Sequence, residues 1–325
     1  MSRILTGDRP TGPLHLGHYF GTLANRVMLQ QSGHELFVVV ADYQVITDRD
    51  HPGDIRATVR ELVRDYLAIG LDADATVIFP HSAVPALNQL LLPFLSLVSV
   101  GELQRNPTVK DEIRNSSTQT VNGLMLTYPV HQAADILFCK GELVPVGRDQ
   151  LPHLELTRSI ARRFNDRYGQ VFPLPEALLG DAPVLPGLDG RKMSKSLGNA
   201  IAVRDDRATI EAKVRAAQTD SERTISYDPQ HRPHVATLLT IAALCSGRTP
   251  EAVAADIGAG GASALKRITT EAIDSLLVPI RERRQSVSDE EVARVLKRGT
   301  EIANGIAEQT LREVRAVMGM DVVTL

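Results

Sequence analysis

Short apolar runs that alternate with helix-period segments constrain this chain more than any other feature. The run LFVVVA at 36–41 is almost wholly β-branched or apolar and shows no polar alternation, the pattern of a strand buried on both faces. Shorter runs at 4–6 (ILT), 76–79 (TVIF) and 143–146 (LVPV) repeat it. Between them the apolar spacing turns helical. Leu16, Phe20, Leu23 and Val27 share a face before Gly33, and Ile55, Val59, Leu62, Val63 and Tyr66 share one between an Asp54 cap and Gly70. Further helices are predicted over roughly 84–99, 121–138 and 151–168. Doubly buried strands joined by helical crossovers predict an α/β fold with a Rossmann-type doubly wound parallel sheet. Ligands of such sheets bind beyond the carboxyl ends of the strands, which here places the loops 7–13, 42–48 and 147–150 at the site.

Beyond about residue 200 the strand pattern stops. Stretches near 206–217, 233–246, 263–284 and 289–318 read as helices, the last with Val292, Val295, Leu296, Ile302, Ile306, Leu311, Val314 and Val317 in register. The expectation is a Rossmann-fold catalytic domain over residues 1–200 followed by an all-helical domain over 201–325. Gly258-Ala259-Gly260-Gly261 reads as a flexible loop between two helices. It follows no strand and lacks the glycine spacing of a dinucleotide fingerprint.

Composition limits the partners. The net charge is −3, so any nucleic-acid surface must be a local basic patch. Cys139 and Cys245 are the only cysteines; they favour neither a disulfide framework nor a thiolate zinc site, and they fit a reducing, cytoplasmic compartment. The first ten residues lack an apolar signal core, and the apolar stretch near 87–100 is broken by Asn88, Gln89, Pro93, Ser96 and Ser99. No membrane association is expected.

Two constellations carry chemistry. The first, TGDRPTGPLHLGH at 6–18, joins a strand end, a Gly/Pro loop and a helix start. A helix N-terminus offers free N–H groups and a positive dipole end to phosphate. Gly17 lets a flat base lie against the backbone. His15 and His18, three apart, project from one side of the first turn and can donate to phosphate oxygens. Alone, such a pair is equally often two surface histidines, and no third zinc ligand accompanies it. The second, Lys192-Met193-Ser194-Lys195-Ser196, follows Gly187, Gly190 and Arg191. Cations on such a loop suit a pyrophosphate leaving group, whose charge grows in the transition state. A lone pair of lysines at this spacing is usually a solvated basic loop.

Taken together, His15-Leu16-Gly17-His18 and Lys192-Met193-Ser194-Lys195-Ser196 resemble the HIGH and KMSKS motifs of class I aminoacyl-tRNA synthetases, with Leu16 in place of the usual isoleucine. GELQR at 101–105, LTYP at 126–129, AADIL at 133–137, VPVGRDQ at 144–150, ELTR at 155–158 and TDS at 219–221 extend the likeness to bacterial tryptophanyl-tRNA synthetases across most of the first 230 residues. The resemblance implies that tryptophan reacts with ATP to give tryptophanyl-adenylate and pyrophosphate, and is then transferred to the 3′-end of tRNA-Trp. It also implies a homodimer, and Mg²⁺ that arrives with ATP and takes most ligands from the phosphates, with no dedicated protein metal site.

By the same resemblance, His15, Gly17 and His18, with Arg9 and Thr11 of the preceding loop, hold ATP. Lys192, Ser194 and Lys195 grip its phosphates, and Lys110 is placed like a further phosphate-binding lysine. Gly147 and Asp149 receive the ribose, and Gln150 contacts the substrate amino group or the ribose. Leu5 and Gly7 line the amino-acid pocket. Asp135 lies in an apolar helix, where a buried carboxylate needs a partner; the indole N–H, a donor only, is the partner the resemblance assigns. Tyr128, two turns earlier on the same face, contacts the substrate amino group or carboxylate.

Gln132 departs from the pattern, since several bacterial relatives carry methionine there. The spacing Tyr128, Gln132, Asp135 is shared with tyrosyl enzymes and raises tyrosine activation as the alternative. Against it, tyrosyl enzymes place a tyrosine hydroxyl on the first strand where this chain has Leu5. A missing partner of that kind can cost ~10⁴-fold in discrimination. A nucleotidylyltransferase with the His-x-Gly-His motif would lack the lysine loop, and a non-catalytic paralogue would not need both intact motifs. His131 reads as packing. Arg281, Arg283, Arg284, Arg294, Lys297 and Arg298 are candidates for tRNA phosphate contacts, although Glu282, Glu290 and Glu291 balance them as an ordinary solvated face would.

Overall fold

The computed structural model describes residues 2–47, 51–115, 121–179, 185–194 and 197–322, without the side chains of Asn115 and Asp149. Five parallel strands, β1 (Arg3–Asp8), β2 (Glu35–Val40), β3 (Thr76–Pro80), β4 (Leu143–Pro145) and β5 (Glu176–Leu178), lie in the order β3-β2-β1-β4-β5. The first four are the apolar runs read from the sequence. The fifth has only three residues and carries no distinguishing pattern. The fold is therefore the expected Rossmann-type doubly wound parallel sheet followed by helices.

The β1–β2 crossover holds α1 (Leu16–His18), a π-helical turn (Tyr19–Leu23) and α2 (Ala24–Leu29), where sequence spacing predicts one continuous helix. Single π turns that interrupt helices are frequent at functional positions. The helix α3 (Ile55–Ile69) begins where the Asp54 carboxylate accepts the Ala57 N–H at 2.9 Å, and it ends at Gly70 with φ 118°. The β3–β4 crossover contains α4 (Pro85–Gln89), α5 (Leu91–Leu95), α6 (Val100–Arg105), α7 (Pro107–Asn115) and α8 (Gly123–Leu137). Neither α6 nor α7 is apparent from periodicity, because each is too short; α6 starts on a reciprocal Ser99–Glu102 cap.

Next come α9 (Leu151–Tyr168), α10 (Arg207–Ala216), α11 (Pro233–Ser246), α12 (Pro250–Ile257), α13 (Gly261–Ser286) and α14 (Asp289–Val317). The Gly258–Gly260 segment, expected as a flexible loop, is a 3-10 turn whose Gly258 carbonyl accepts the Ile225 N–H at 2.7 Å.

Strand alternation sorts the core onto two faces. Ile4, Leu36, Val38 and Ile78 face one cluster, completed by α3, α11 and α13. Leu5, Phe37, Val39 and Phe79 face the other, completed by α8 and α9. The last helix serves both: Val292 and Val295 join the first cluster, and Ala303, Ala307, Leu311 and Val314 join the second. It crosses at the β3 edge through Gly299, where an added Cβ would fall 1.9 Å from the Ile78 carbonyl oxygen. Among the described residues, no helix is long and apolar enough to cross a membrane.

Candidate active site

The strand order turns at β1, which connects onward to β2 on one side and pairs with β4 on the other. At such a switch the loops diverge and leave a crevice. A cavity of about 330 Å³ opens there, with Leu5, Val39, Ile136 and Val144 as its apolar walls. Gly7, Arg9, Gln44, Glu112, Tyr128, Gln132, Asp135, Gly147, Gln150 and His153 also line it. The proportions suit a small amphipathic ligand held by a few convergent polar groups.

Tyr128, Gln132 and Asp135 sit at i, i+4 and i+7 of α8, so helical geometry delivers all three to the cavity. The Asp135 side chain is buried, and one carboxylate oxygen lies 3.1 Å from Nδ1 of the fully buried His81. The Tyr43 backbone N–H donates to the other His81 nitrogen, Nε2, at 2.9 Å. The Asp42 carboxylate also approaches Nε2, at 3.4 Å. Burial lowers the His81 pKa, but Asp135 and then Asp42 outweigh it and the net shift is upward. A carboxylate oxygen only accepts, so in either protonation state the Nδ1–H is donated to Asp135. His131, read from sequence as packing, has polar work as well. Its Nδ1 accepts from the Gln44 amide at 3.0 Å, and its Nε2 donates to Asn88 at 2.7 Å. Burial lowers its pKa and keeps it neutral. Among the described residues, His81, His131 and Asp135 are the one group whose donor atoms lie close enough, within 4.8 Å, to hold a metal ion. Their ring nitrogens are already engaged by protein partners.

At the opposite wall the Tyr128 hydroxyl meets His153 Nε2 at 3.1 Å. Burial, then the neighbouring Glu112 carboxylate, raises its pKa far above the usual phenol range, so it remains a neutral donor. Arg9 approaches Glu112 at 3.8 Å across the mouth. Beneath them lies an arginine with no sequence signal. Arg26 of α2 donates to Thr6 Oγ1 at 3.0 Å, to the Gly7 carbonyl at 3.1 Å and to Asp8, which also accepts the Tyr66 hydroxyl at 2.6 Å. This network fixes the carboxyl end of β1, where the cavity begins.

The two motifs are in direct contact. Gly17 N–H points at the Met193 sulfur at 3.3 Å, and a Cβ on Gly17 would meet the His15 ring at 3.0 Å and Met193 at 3.5 Å. His18 Nδ1 accepts the His15 backbone N–H at 3.1 Å, with the two rings 3.7 Å apart. The backbone continues the joint: Leu16 N–H donates to Ile201 O at 3.0 Å, and Val203 N–H donates to Leu14 O at 2.9 Å. Asn199, also unforeseen, organises the lysine loop. It accepts the Ser194 N–H at 2.8 Å and donates to Asp189 at 2.7 Å and to the Lys192 carbonyl at 3.2 Å. Asn199, then Arg191, draws the Asp189 carboxyl down to about 2.

The predicted residues thus form two groups. Leu5, Gly7, Arg9, Tyr128, Gln132, Asp135, Gly147 and Gln150 line the cavity. His15, Gly17 and His18 lie on the helix start that meets the lysine loop through Gly17 and Met193, and Lys192 and Ser194 flank Met193 on that loop, with Lys192 exposed. Thr11, whose N–H donates to Arg9 O at 2.8 Å, and the exposed Lys110 of α7 belong to neither group. Lys195 and the Asp149 side chain lie outside the described residues; the Asp149 backbone is in the turn after β4. Several tRNA candidates are occupied within the protein. Arg283 donates to Ala68 O at 2.6 Å, Arg284 to Asp65 at 2.7 Å, Arg281 to Asp205 O at 3.0 Å, and Arg298 to Asp74 O at 3.0 Å.

Comparisons with known proteins agree on the family. The family model described as tRNA synthetases class I (W and Y) matches residues 1–278. The tryptophan–tRNA ligase of Treponema pallidum is 43% identical over 98% of this chain and 97% of its own length. That of Clostridium longisporum is 42% identical over the same shares. Among solved structures, tryptophanyl-tRNA synthetase of Campylobacter jejuni, complexed with ADP and tryptophan, superposes with a TM-score of 0.86 at 27% identity over 98% of this chain and 99% of that one. The Mycoplasma pneumoniae enzyme superposes at 0.83 with 31% identity over 98% of each chain.

Proposed function

The chain belongs to the class I tRNA synthetases for tryptophan and tyrosine, and from that premise we propose that it is a tryptophan–tRNA ligase. The observation that carries the specificity is the buried Asp135 carboxylate facing a cavity into which β1 presents the apolar Leu5, while its polar Thr6 and Asp8 are engaged by Arg26. An indole needs one acceptor among apolar walls, and Asp135 supplies it. A phenol would need a further polar partner on β1, which Leu5 does not offer.

The reaction needs little acid–base chemistry. The tryptophan carboxylate is ionised at neutral pH. One of its oxygens attacks the α-phosphorus of ATP, the bond to the bridging oxygen of the β-phosphate breaks, and pyrophosphate leaves with the electron pair. A ribose hydroxyl at the tRNA 3′-end then attacks the mixed anhydride, loses its proton and displaces AMP. The protein's part is position and charge.

Tyr128, Gln132 and Gln150 orient the amino acid's polar end in this reading. Gly147 and Asp149 take the ribose. His15, Gly17 and His18, with Arg9 and Thr11, take the nucleotide, and Lys192, Ser194, Lys195 and Lys110 take the phosphates. Mg²⁺ accompanies the triphosphate, held mainly by phosphate oxygens. Contact between Gly17 and Met193 supports a shared nucleotide site, since it joins the histidine helix to the lysine loop. Residues 1–200 serve as the catalytic unit and 201–325 as the unit reading the anticodon of tRNA-Trp, in a cytoplasmic homodimer.

ATP–pyrophosphate exchange tests the reading. Tryptophan should drive exchange and tyrosine should not, and Asp135→Ala should lower tryptophan-dependent exchange by ~10²-fold or more. Equal exchange with tyrosine, or an unaffected Asp135→Ala variant, would overturn it.

A further inference from the structure

The specificity carboxylate is not self-supporting. Asp135 projects from α8, whereas its single side-chain partner among the described residues, His81, comes from the turn that ends β3. The His81 ring is fully buried and cannot swing away. Its orientation is fixed in turn by the backbone N–H of Tyr43, at 2.9 Å from Nε2. The Tyr43 turn is anchored by Asp42, which accepts the Tyr43 N–H at 3.2 Å and the Ser82 N–H at 3.1 Å. Asp42 thus ties the loop after β2 to the loop after β3, and His81 ties both to α8.

We propose that His81 is a positioning residue for substrate discrimination: its Nδ1–H holds one Asp135 oxygen so that the other is presented to the indole N–H. This rests on the tryptophan reading above. A carboxylate on a free side chain rotates about two torsions and spreads its lone pairs. One held by a directional donor has a fixed plane, so its second oxygen receives a donor at one place in the cavity. His81 touches the reacting groups only through Asp135.

The role predicts a selective defect. His81→Met keeps similar volume and removes the donor; His81→Asn keeps an N–H near the Nδ1 position. In tryptophan-dependent exchange, His81→Met should raise KM for tryptophan ~10–100-fold, the range of a charge-assisted hydrogen bond. KM for ATP should change less than ~3-fold. A tryptophan analogue with sulfur in place of the indole N–H has no donor to present, so its inhibition constant should also change less than ~3-fold. His81→Asn should recover most of the discrimination.

If tryptophan and the analogue weaken equally, His81 is only a structural support and the proposal is wrong; no change in either would be equally fatal. Should His81→Met not fold, His81→Asn decides alone: retained preference for tryptophan over the analogue supports the role, and its loss in a folded protein overturns it. A wild-type protein with no tryptophan-dependent exchange would overturn both this proposal and the functional reading. Normal wild-type exchange without the analogue contrast would overturn this proposal alone.

Discussion

Arg26 illustrates what a single side chain decides in this protein. It is 2% exposed yet charged, and it is tolerated because Thr6, the Gly7 carbonyl and Asp8 take its donors. Arg26→Met would leave Asp8 without its cation at the cavity edge. The expected loss is about 3–5 kcal/mol, the usual result of breaking a buried pair from one side, measured by urea unfolding. Burial raises the Asp8 pKa, but Arg26 and Tyr66 outweigh it and the net shift is downward. A folded-state pKa below the ordinary 3.8 stabilises the native state above that value. The contribution is lost as pH falls from about 4 through the lower folded value. Acid unfolding of Arg26→Met should therefore begin at higher pH than in the wild type; coincident acid transitions would contradict this account. His15, Gly17, Lys192 and Asp135 were legible in the sequence because each lies within a local motif. Arg26, His81 and Asn199 were not, because their roles exist only through partners on other segments.

At the level of elements, the lysine loop and the last helix show the same dependence on remote contacts. Asn199 holds three groups of the lysine loop, and Gly187 makes room for it: a Cβ there would lie 2.3 Å from the Asn199 amide nitrogen. Asn199→Ala should lower the exchange rate constant ~5–30-fold, the worth of one or two lost hydrogen bonds, while KM for tryptophan stays within about twofold. An equal loss in both parameters would place the damage in the cavity beside Asp135 instead. Gly299→Ala should cost about 3 kcal/mol, because its methyl group meets the Ile78 carbonyl and α14 must lift from β3; chemical denaturation would read it. Long periodic helices such as α9, α13 and α14 were visible in the sequence to within a few residues, as were the four apolar strands. The short elements α6, α7, α12 and β5 were not, since they span too few residues to show a period and are held by their neighbours.

Across the whole molecule, the α/β and helical parts share one buried cluster, and Arg283 and Arg284 of α13 bond to Ala68 and Asp65 of α3. Calorimetry is accordingly expected to show one cooperative transition for residues 1–325, and two separated transitions would refute the shared core. Leu92, 75% exposed, and Val100 present apolar surface from α5 and α6, consistent with the proposed homodimer. Light scattering should give about twice the chain mass of 35.4 kDa, and Leu92→Asp should shift it toward that of one chain. Local sequence was enough to specify the layered α/β architecture and to mark out the two motifs proposed to bind the triphosphate. Hydrophobic periodicity and local loop chemistry act over a few residues and need no knowledge of where the chain goes next. Folding in three dimensions was needed to bring Met193 to Gly17 and His81 to Asp135, and to return the C-terminal helix to the sheet edge. These are contacts between residues far apart in the chain, and they are set by how the packed faces meet.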